Sequence, residues 1–105
     1  MNQENRISLN SLYSDFEYSD EPNTLALWGR LLFMANQQET ERKGMVISRG
    51  QLVTTASRLS IESGLSRQNI RTALSKLEKC GYITIKPTNK FSLITICKYE
   101  DYILV

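Results

Sequence analysis

Three amphipathic helix patterns followed by a β-hairpin pattern predict an α+β domain, mainly α, of the winged helix-turn-helix class. In that arrangement a three-helix core carries a β-hairpin wing. Small and glycine residues also separate the second and third helix patterns at the spacing of a helix-turn-helix. The 105 residues fit one domain. We divide the chain into an acidic, aromatic N-terminal arm (residues 1–22) and the winged helix-turn-helix domain (residues 23–105).

The arm combines acidic residues with more aromatic and aliphatic side chains than a plain solvated tail carries. These side chains are Leu9, Leu12, Tyr13, Phe16 and Tyr18. We expect a short helix or turn that docks back on the domain or onto a second copy of the chain. Pro22 is expected to break the chain after it.

The first helix is expected directly after Pro22, with Asn23 or Thr24 as its N-cap. Its apolar stripe consists of Leu25, Trp28, Leu31, Leu32 and Ala35. The polar residues 36–44 that follow predict a loop, in which Gly44 suits a turn.

Two short β-prone runs, residues 45–47 and 52–54, lie on either side of a turn in which Gly50 can take a positive φ. A second helix is then expected to begin after Thr55, its predicted N-cap, and to stop at Gly64.

The third helix is predicted to begin at the N-cap Ser66 and to end before Gly81. Its core-facing stripe is Ile70, Ala73, Leu74 and Leu77, at the i, i+3, i+4, i+7 spacing. Ser60 is small where the second and third helices cross. The offsets from Ser60 to Gly64 and on to Ile70 are those of a helix-turn-helix.

Residues 82–99 predict a β-hairpin whose turn is the cluster at 87–90. The alternation of apolar and polar residues changes phase at Leu93 and Ile94. We therefore expect either a β-bulge or burial on both faces of the strand at that point.

The charge of the chain is unevenly distributed. Residues 1–40 sum to −4, residues 41–98 to +8 and the tail to −2, within a net charge of +2. A basic middle indicates a polyanionic partner. With the core stripe of the third helix turned inward, its outer face carries polar and basic residues and the wing adds two lysines. The predicted DNA-binding residues are Arg67, Gln68, Arg71, Thr72, Ser75, Lys76, Lys79, Lys86 and Lys90.

These residue types suit double-stranded DNA in the major groove. Gln and Arg bind base edges through two hydrogen bonds, Ser and Thr reach bases or phosphates, and Lys neutralises phosphate. We expect Gln68, Arg71 and Thr72 to contact bases and the wing tip to contact the backbone, adding affinity without sequence information.

Several other classes of function are disfavoured. The chain has no histidine, no glycine-rich phosphate loop and no dense carboxylate cluster, so we expect no enzyme, no cofactor and no metal site. Cys80 and Cys97 are expected to be free thiols rather than a disulfide. No apolar run approaches the about 20 residues of a membrane span, and a secretory-signal pattern is missing, so we expect no membrane partner and a cytoplasmic protein.

Four short motifs are similar to the winged-helix domain of phage replisome organisers and DnaD-like primosomal proteins. They are GQLVT at residues 50–54, GLS at 64–66, RTAL at 71–74 and the wing-tip TNK at 88–90. The resemblance covers most of the chain and is strongest over residues 49–102. Two positions depart from the pattern, Ser63 where Thr is common and Cys80 where a polar residue is common.

The resemblance implies replication initiation or helicase loading on phage, plasmid or mobile-element DNA, with other replication proteins as partners. In DnaD-like proteins this domain serves mainly in self-association and docking, while a separate domain contributes DNA binding. A self-association and docking module is the alternative expectation, because the acidic, aromatic arm could pair with the basic face of another copy and give a homo-oligomer. A transcriptional regulator of the same fold is a third. The sequence leaves open whether the chain acts alone or belongs to a longer protein.

Overall fold

The computed structural model describes residues 16–103, which form an α+β fold with three α-helices and two small antiparallel sheets. The helices are α1 (Pro22–Met34), α2 (Ala56–Ser63) and α3 (Arg67–Lys79). The strands are β1 (Thr40–Arg42), β2 (Met45–Ile47), β3 (Gln51–Thr54), β4 (Ile83–Pro87) and β5 (Ser92–Ile96), and a 3₁₀ turn covers Tyr99–Tyr102. The first fifteen residues of the predicted arm and the last two residues of the chain lie outside the described residues.

The main sheet has the strand order β3-β5-β4, and β1 and β2 form a separate two-stranded sheet. The β4–β5 hairpin is predicted correctly, and its register runs without interruption from Ile83 opposite Ile96 to Pro87 opposite Ser92. The bulge at Leu93 and Ile94 is therefore wrong, whereas the alternative, burial on both faces, is confirmed. Ile94 is buried in the core and Leu93 is half-buried on the opposite face, because β5 is the central strand.

The core lies between the three helices and one face of the main sheet. Trp28 of α1 is fully buried at its centre, and Phe16 stacks on it with ring centroids 5.5 Å apart. The other members of the core are Leu27, Leu31, Leu32, Ala35, Leu52, Leu59, Ile70, Ala73, Leu77, Ile83, Ile94, Ile96, Tyr99 and Ile103. Residues 16–21 thus dock onto their own domain, beside α1 and α3.

The N-terminus of α1 differs from its prediction. Pro22 occupies the first turn and Glu21 is the N-cap residue, so neither Asn23 nor Thr24 caps the helix. Proline suits this position because its missing N–H has no helical partner there and its φ is already helical. Thr24 is instead buried, and Leu27, which the predicted stripe omits, is fully buried.

The segment 36–44 is not simply a loop, because it contains β1, which pairs with β2. Lys43 and Gly44 connect the two strands with φ values of 51° and 80°. Positive φ at both central residues is the backbone of a two-residue hairpin turn that follows the twist of the strands. The predicted turn at Gly44 is confirmed.

The predicted caps of α2 and α3 are confirmed. The Thr55 hydroxyl accepts a hydrogen bond from the Arg58 N–H, and the Ser66 hydroxyl accepts one from the Asn69 N–H, both at 3.0 Å. Gly64 ends α2 in the left-handed conformation, with φ at 78°. These bonds satisfy N–H groups that have no partner within the helix, and they set α3 at an angle to α2.

Candidate nucleic-acid interface

Helix α3 buries one face and presents the other to solvent. Ile70, Ala73 and Leu77 are buried as predicted, and Leu74 is half-buried. Six side chains of the opposite face line a shallow, open depression, namely Gln68, Arg71, Thr72, Ser75, Lys76 and Lys79. All of them except Lys76 are exposed. The structure therefore brings together six of the nine predicted site residues on one surface, which we call the α3 face.

Two of the three cations of the α3 face, Arg71 and Lys79, are free to meet a ligand. Among the described residues, Arg71, Lys79 and the neighbouring Arg67 form no salt bridge. Glu78, the acid of this helix, is turned toward β4, where its carboxylate accepts a hydrogen bond from the Ile85 N–H at 3.2 Å. The carboxylate thus joins α3 to the hairpin instead of neutralising the basic side chains.

The tip of the β4–β5 hairpin is an ordered, basic turn. The Thr88 hydroxyl accepts hydrogen bonds from the N–H groups of Lys90 (3.4 Å) and Phe91 (3.2 Å), and the Thr88 N–H donates to the Phe91 carbonyl at 2.7 Å. Lys86 and Lys90 are both exposed and pair with no carboxylate among the described residues.

Lys76 differs from the other predicted site residues because residues 16–21 already engage it. Its Nζ lies 2.5 Å from a carboxylate oxygen of Glu21 and 5.9 Å from the centre of the Tyr18 ring. A second shallow depression between this acidic segment and α3 is lined by Asp20, Glu21, Asn69 and Thr72, among others. The edge of the α3 face is therefore acidic.

Hydrogen bonds fasten residues 16–21 to the C-terminal end of α3. The Tyr18 hydroxyl lies 2.9 Å from the Cys80 Sγ, and the Tyr82 hydroxyl accepts a hydrogen bond from the Glu17 N–H at 2.9 Å. The hydrogen bond with Cys80, with a smaller contribution from burial, raises the pKa of Tyr18 to about 12. This hydroxyl is therefore protonated at neutral pH. The expected docking of the arm on the domain is thus confirmed for residues 16–21, but no sequence pattern identifies its partners, which lie more than sixty residues away.

The Arg49 side chain links three segments of the chain that are distant in sequence. Its guanidinium pairs with Glu100, donates to the Gln37 carbonyl and lies 5.3 Å from the centre of the Tyr99 ring. The hydrogen bond from Arg49 holds the pKa of Glu100 below its ordinary value. This basic residue has a structural partner, so we leave it out of the interface.

Cys80 is exposed, Cys97 is half-buried and both are free thiols, so the prediction of two free cysteines is confirmed. Within residues 16–103 no three His, Cys, Asp or Glu side chains are grouped closely enough to bind a metal ion. None of the helices in that range combines the length and hydrophobicity that crossing a bilayer requires.

Comparisons of the chain with protein-family models, curated proteins and solved structures found no significant match. What bears on the function is therefore the geometry of the α3 face, the β4–β5 hairpin and the residues around them.

Proposed function

We propose that this chain is a winged helix-turn-helix protein that binds double-stranded DNA, with α3 in the major groove and the β4–β5 hairpin as the wing. The capped α2–turn–α3 unit, followed directly by a hairpin that packs against α3, supports this assignment. The observation that carries it is the α3 face, where exposed Arg, Lys, Gln, Thr and Ser side chains lie together without a paired carboxylate on Arg71 or Lys79.

The two parts of the interface have different roles in this proposal. Gln68, Arg71 and Thr72 lie in the N-terminal half of α3 and contact base edges, which gives sequence preference. Lys79 near the end of the helix, with Lys86 and Lys90 on the wing, contacts phosphates and gives affinity.

We further propose that the DNA belongs to a replication origin of a phage or mobile element. The support is the resemblance of residues 50–54, 64–66, 71–74 and 88–90 to replisome-organiser and DnaD-like proteins. Homo-oligomerisation through the arm remains a prediction.

The double substitution of Arg71→Ala and Lys79→Ala tests DNA binding. We expect the Kd for duplex DNA to rise about 10- to 100-fold at low salt, because one base contact and one phosphate contact are lost. If the original protein neutralises four to six phosphates, its affinity falls about 10²- to 10³-fold between 50 and 200 mM salt. Fluorescence anisotropy across a salt series measures both quantities.

Arg42→Ala provides a control that removes one positive charge at a distant site, since Arg42 is an exposed arginine on the β1–β2 hairpin, away from α3. It should leave the Kd within about twofold of the original value. An original protein that does not bind duplex DNA at 50 mM salt contradicts the proposal. So does a double variant that binds as tightly as the control.

The ion pair between Glu21 and Lys76 gives a prediction of opposite sign. Glu21→Gln removes a negative charge from the edge of the α3 face and releases Lys76, so duplex affinity should rise about two- to fivefold at 50 mM salt. The same anisotropy assay measures the change, which should shrink at higher salt because both charges are partly exposed.

Glu41→Gln changes the net charge by the same amount as Glu21→Gln, at an exposed site on β1. It therefore distinguishes a local effect beside Lys76 from an effect of the overall charge. An equal gain in affinity for Glu21→Gln and Glu41→Gln would show that the position beside Lys76 has no special influence.

A further inference from the structure

A second surface lies on the opposite side of the main sheet from the core. It is a groove of about 370 Å³ between the β1–β2 hairpin and the main sheet, lined by Arg42, Lys43, Met45, Ile47, Val53 and Phe91. Val53 alternates along β3 with Leu52, which is buried in the core, so Val53 points to the other face of the sheet. The groove volume lies within the range of binding pockets for small ligands and single side chains.

The interior of this groove is apolar and separate from the core. Ile47, the last residue of β2, is only 3% exposed, yet it lies outside the core cluster and lines the groove. Met45, Val53 and Phe91 are half-buried around it. An apolar side chain that fills the groove would remove further apolar surface from water, which is favourable.

The rim of the groove is positively charged because of the strand register. Arg42 pairs with Met45 across the β1–β2 ladder, so the cation and the apolar side chain lie on the same face of the hairpin. Glu41 pairs with Val46, which alternation places on the other face. Neither Arg42 nor Lys43 forms a salt bridge with any residue between 16 and 103.

From this combination we infer a docking site for an acidic peptide segment of a partner protein. One aliphatic or aromatic side chain of the segment enters the groove, and flanking carboxylates pair with Arg42 and Lys43. Met45, Ile47, Val53 and Phe91 have apolar side chains, so a nucleobase buried among them would lose hydrogen bonds to water without gaining partners from these side chains, which is costly. A peptide is therefore favoured over a nucleic acid on this surface.

This site lies apart from the α3 face and adjoins the wing. The wing contributes Phe91 to the groove, but none of the groove residues belongs to the α3 face. A protein that binds DNA through α3 could thus hold a partner protein at the same time, through the opposite side of its sheet.

The test uses acetylated synthetic peptides of about nine residues, with a central leucine among Asp and Glu. They are titrated up to millimolar concentrations, because a single anchoring side chain is expected to give a Kd of about 0.1 to 1 mM. Two matched peptides replace the leucine by serine or the acids by their amides, and a thymidine oligonucleotide of equal charge is the nucleic-acid probe. Chemical shifts of the full chain report where each probe binds.

We expect saturable shifts of Met45, Ile47 and Val53 with the acidic leucine peptide, and at least fivefold weaker binding of both matched peptides. Combining Arg42→Gln with Lys43→Asn should weaken binding at least fivefold. Asn tolerates the left-handed conformation of residue 43, which protects the fold. Val53→Ala, which leaves the rim intact, should weaken binding as well, whereas the Arg71→Ala and Lys79→Ala double variant should bind as the original protein does.

Three outcomes would overturn the inference. The first is the absence of saturable shifts in the groove with the acidic leucine peptide. The second is equal binding of the serine or amide peptide, and the third is tighter binding of the oligonucleotide to the same residues. Loss of DNA binding with peptide binding intact would overturn only the proposed function.

Discussion

Phe16→Ala is expected to lower the free energy of unfolding by about 3–5 kcal/mol, the range for deleting a large buried aromatic side chain. Phe16 is 3% exposed. Its ring stacks on Trp28 at an interplanar angle of 6° and lies 5.0 Å from the Tyr82 ring, centroid to centroid. Alanine would leave a cavity beside the Trp28 and Tyr82 rings, because these packed rings cannot all move in to fill it. Urea denaturation at neutral pH measures the change.

Phe33→Ala is the matched control because it makes the same chemical change on α1 at a side chain that is 57% exposed. Its effect should be below about 1 kcal/mol. Equal effects of the two substitutions would contradict the docking of residues 16–21. Residues 16–21 also carry the acids beside the α3 face. Because Phe16→Ala weakens their docking, it should raise DNA affinity, as Glu21→Gln is expected to do.

Gly50→Ala is expected to destabilise the fold by about 2–5 kcal/mol. Gly50 has a φ of 84°, and an added Cβ would lie 2.9 Å from the Cβ of Tyr99, a buried residue that cannot move freely. The positive φ contributes about 1–2 kcal/mol and the overlap contributes about 1–3 kcal/mol more. The backbone of Gly50 also forms hydrogen bonds with Asn36 and Ile96. A shift of Gly50 would therefore displace the segment that follows α1 and the end of β5.

Gly44→Ala isolates the steric part of this effect. Gly44 has a similar φ of 80°, and nothing lies within 4 Å of the position of its Cβ. It should lose only the conformational part, about 1–2 kcal/mol. Thermal or urea denaturation of both variants provides the comparison, and equal losses would contradict close packing between Gly50 and Tyr99.

The local elements of the fold could be predicted from the sequence because their causes are local. Thr55 and Ser66 cap helices through their own hydroxyls, and Gly64 ends a helix because it tolerates positive φ. The alternation of residues 82–86 and the turn cluster at 87–90 predict the hairpin, whereas the change of phase at Leu93 and Ile94 reflects burial on both faces of β5. The α3 face follows from the same helical periodicity, which places Thr72 and Lys79 opposite Ile70 and Leu77.

The missed features depend on contacts between distant parts of the chain or on weak local signals. Strand β1 consists of three exposed polar residues, so no hydrophobic pattern marks it. Lys76 has the sequence features of a phosphate contact, but Glu21, fifty-five residues away, already pairs with it. The groove beside Arg42 forms only where the two sheets pack together, so no pattern within a single segment could predict it.

The central claim is that the α3 face and the wing bind duplex DNA. The most direct measurement is the titration of the isotope-labelled chain with duplex DNA at low salt, following each backbone amide by NMR. We predict that the largest shifts fall on residues 67–72 and on the wing turn at 88–90, with little change in β1 and β2. Shifts that fall mainly on α1 or on the β1–β2 hairpin, or no shifts at all, would contradict the claim.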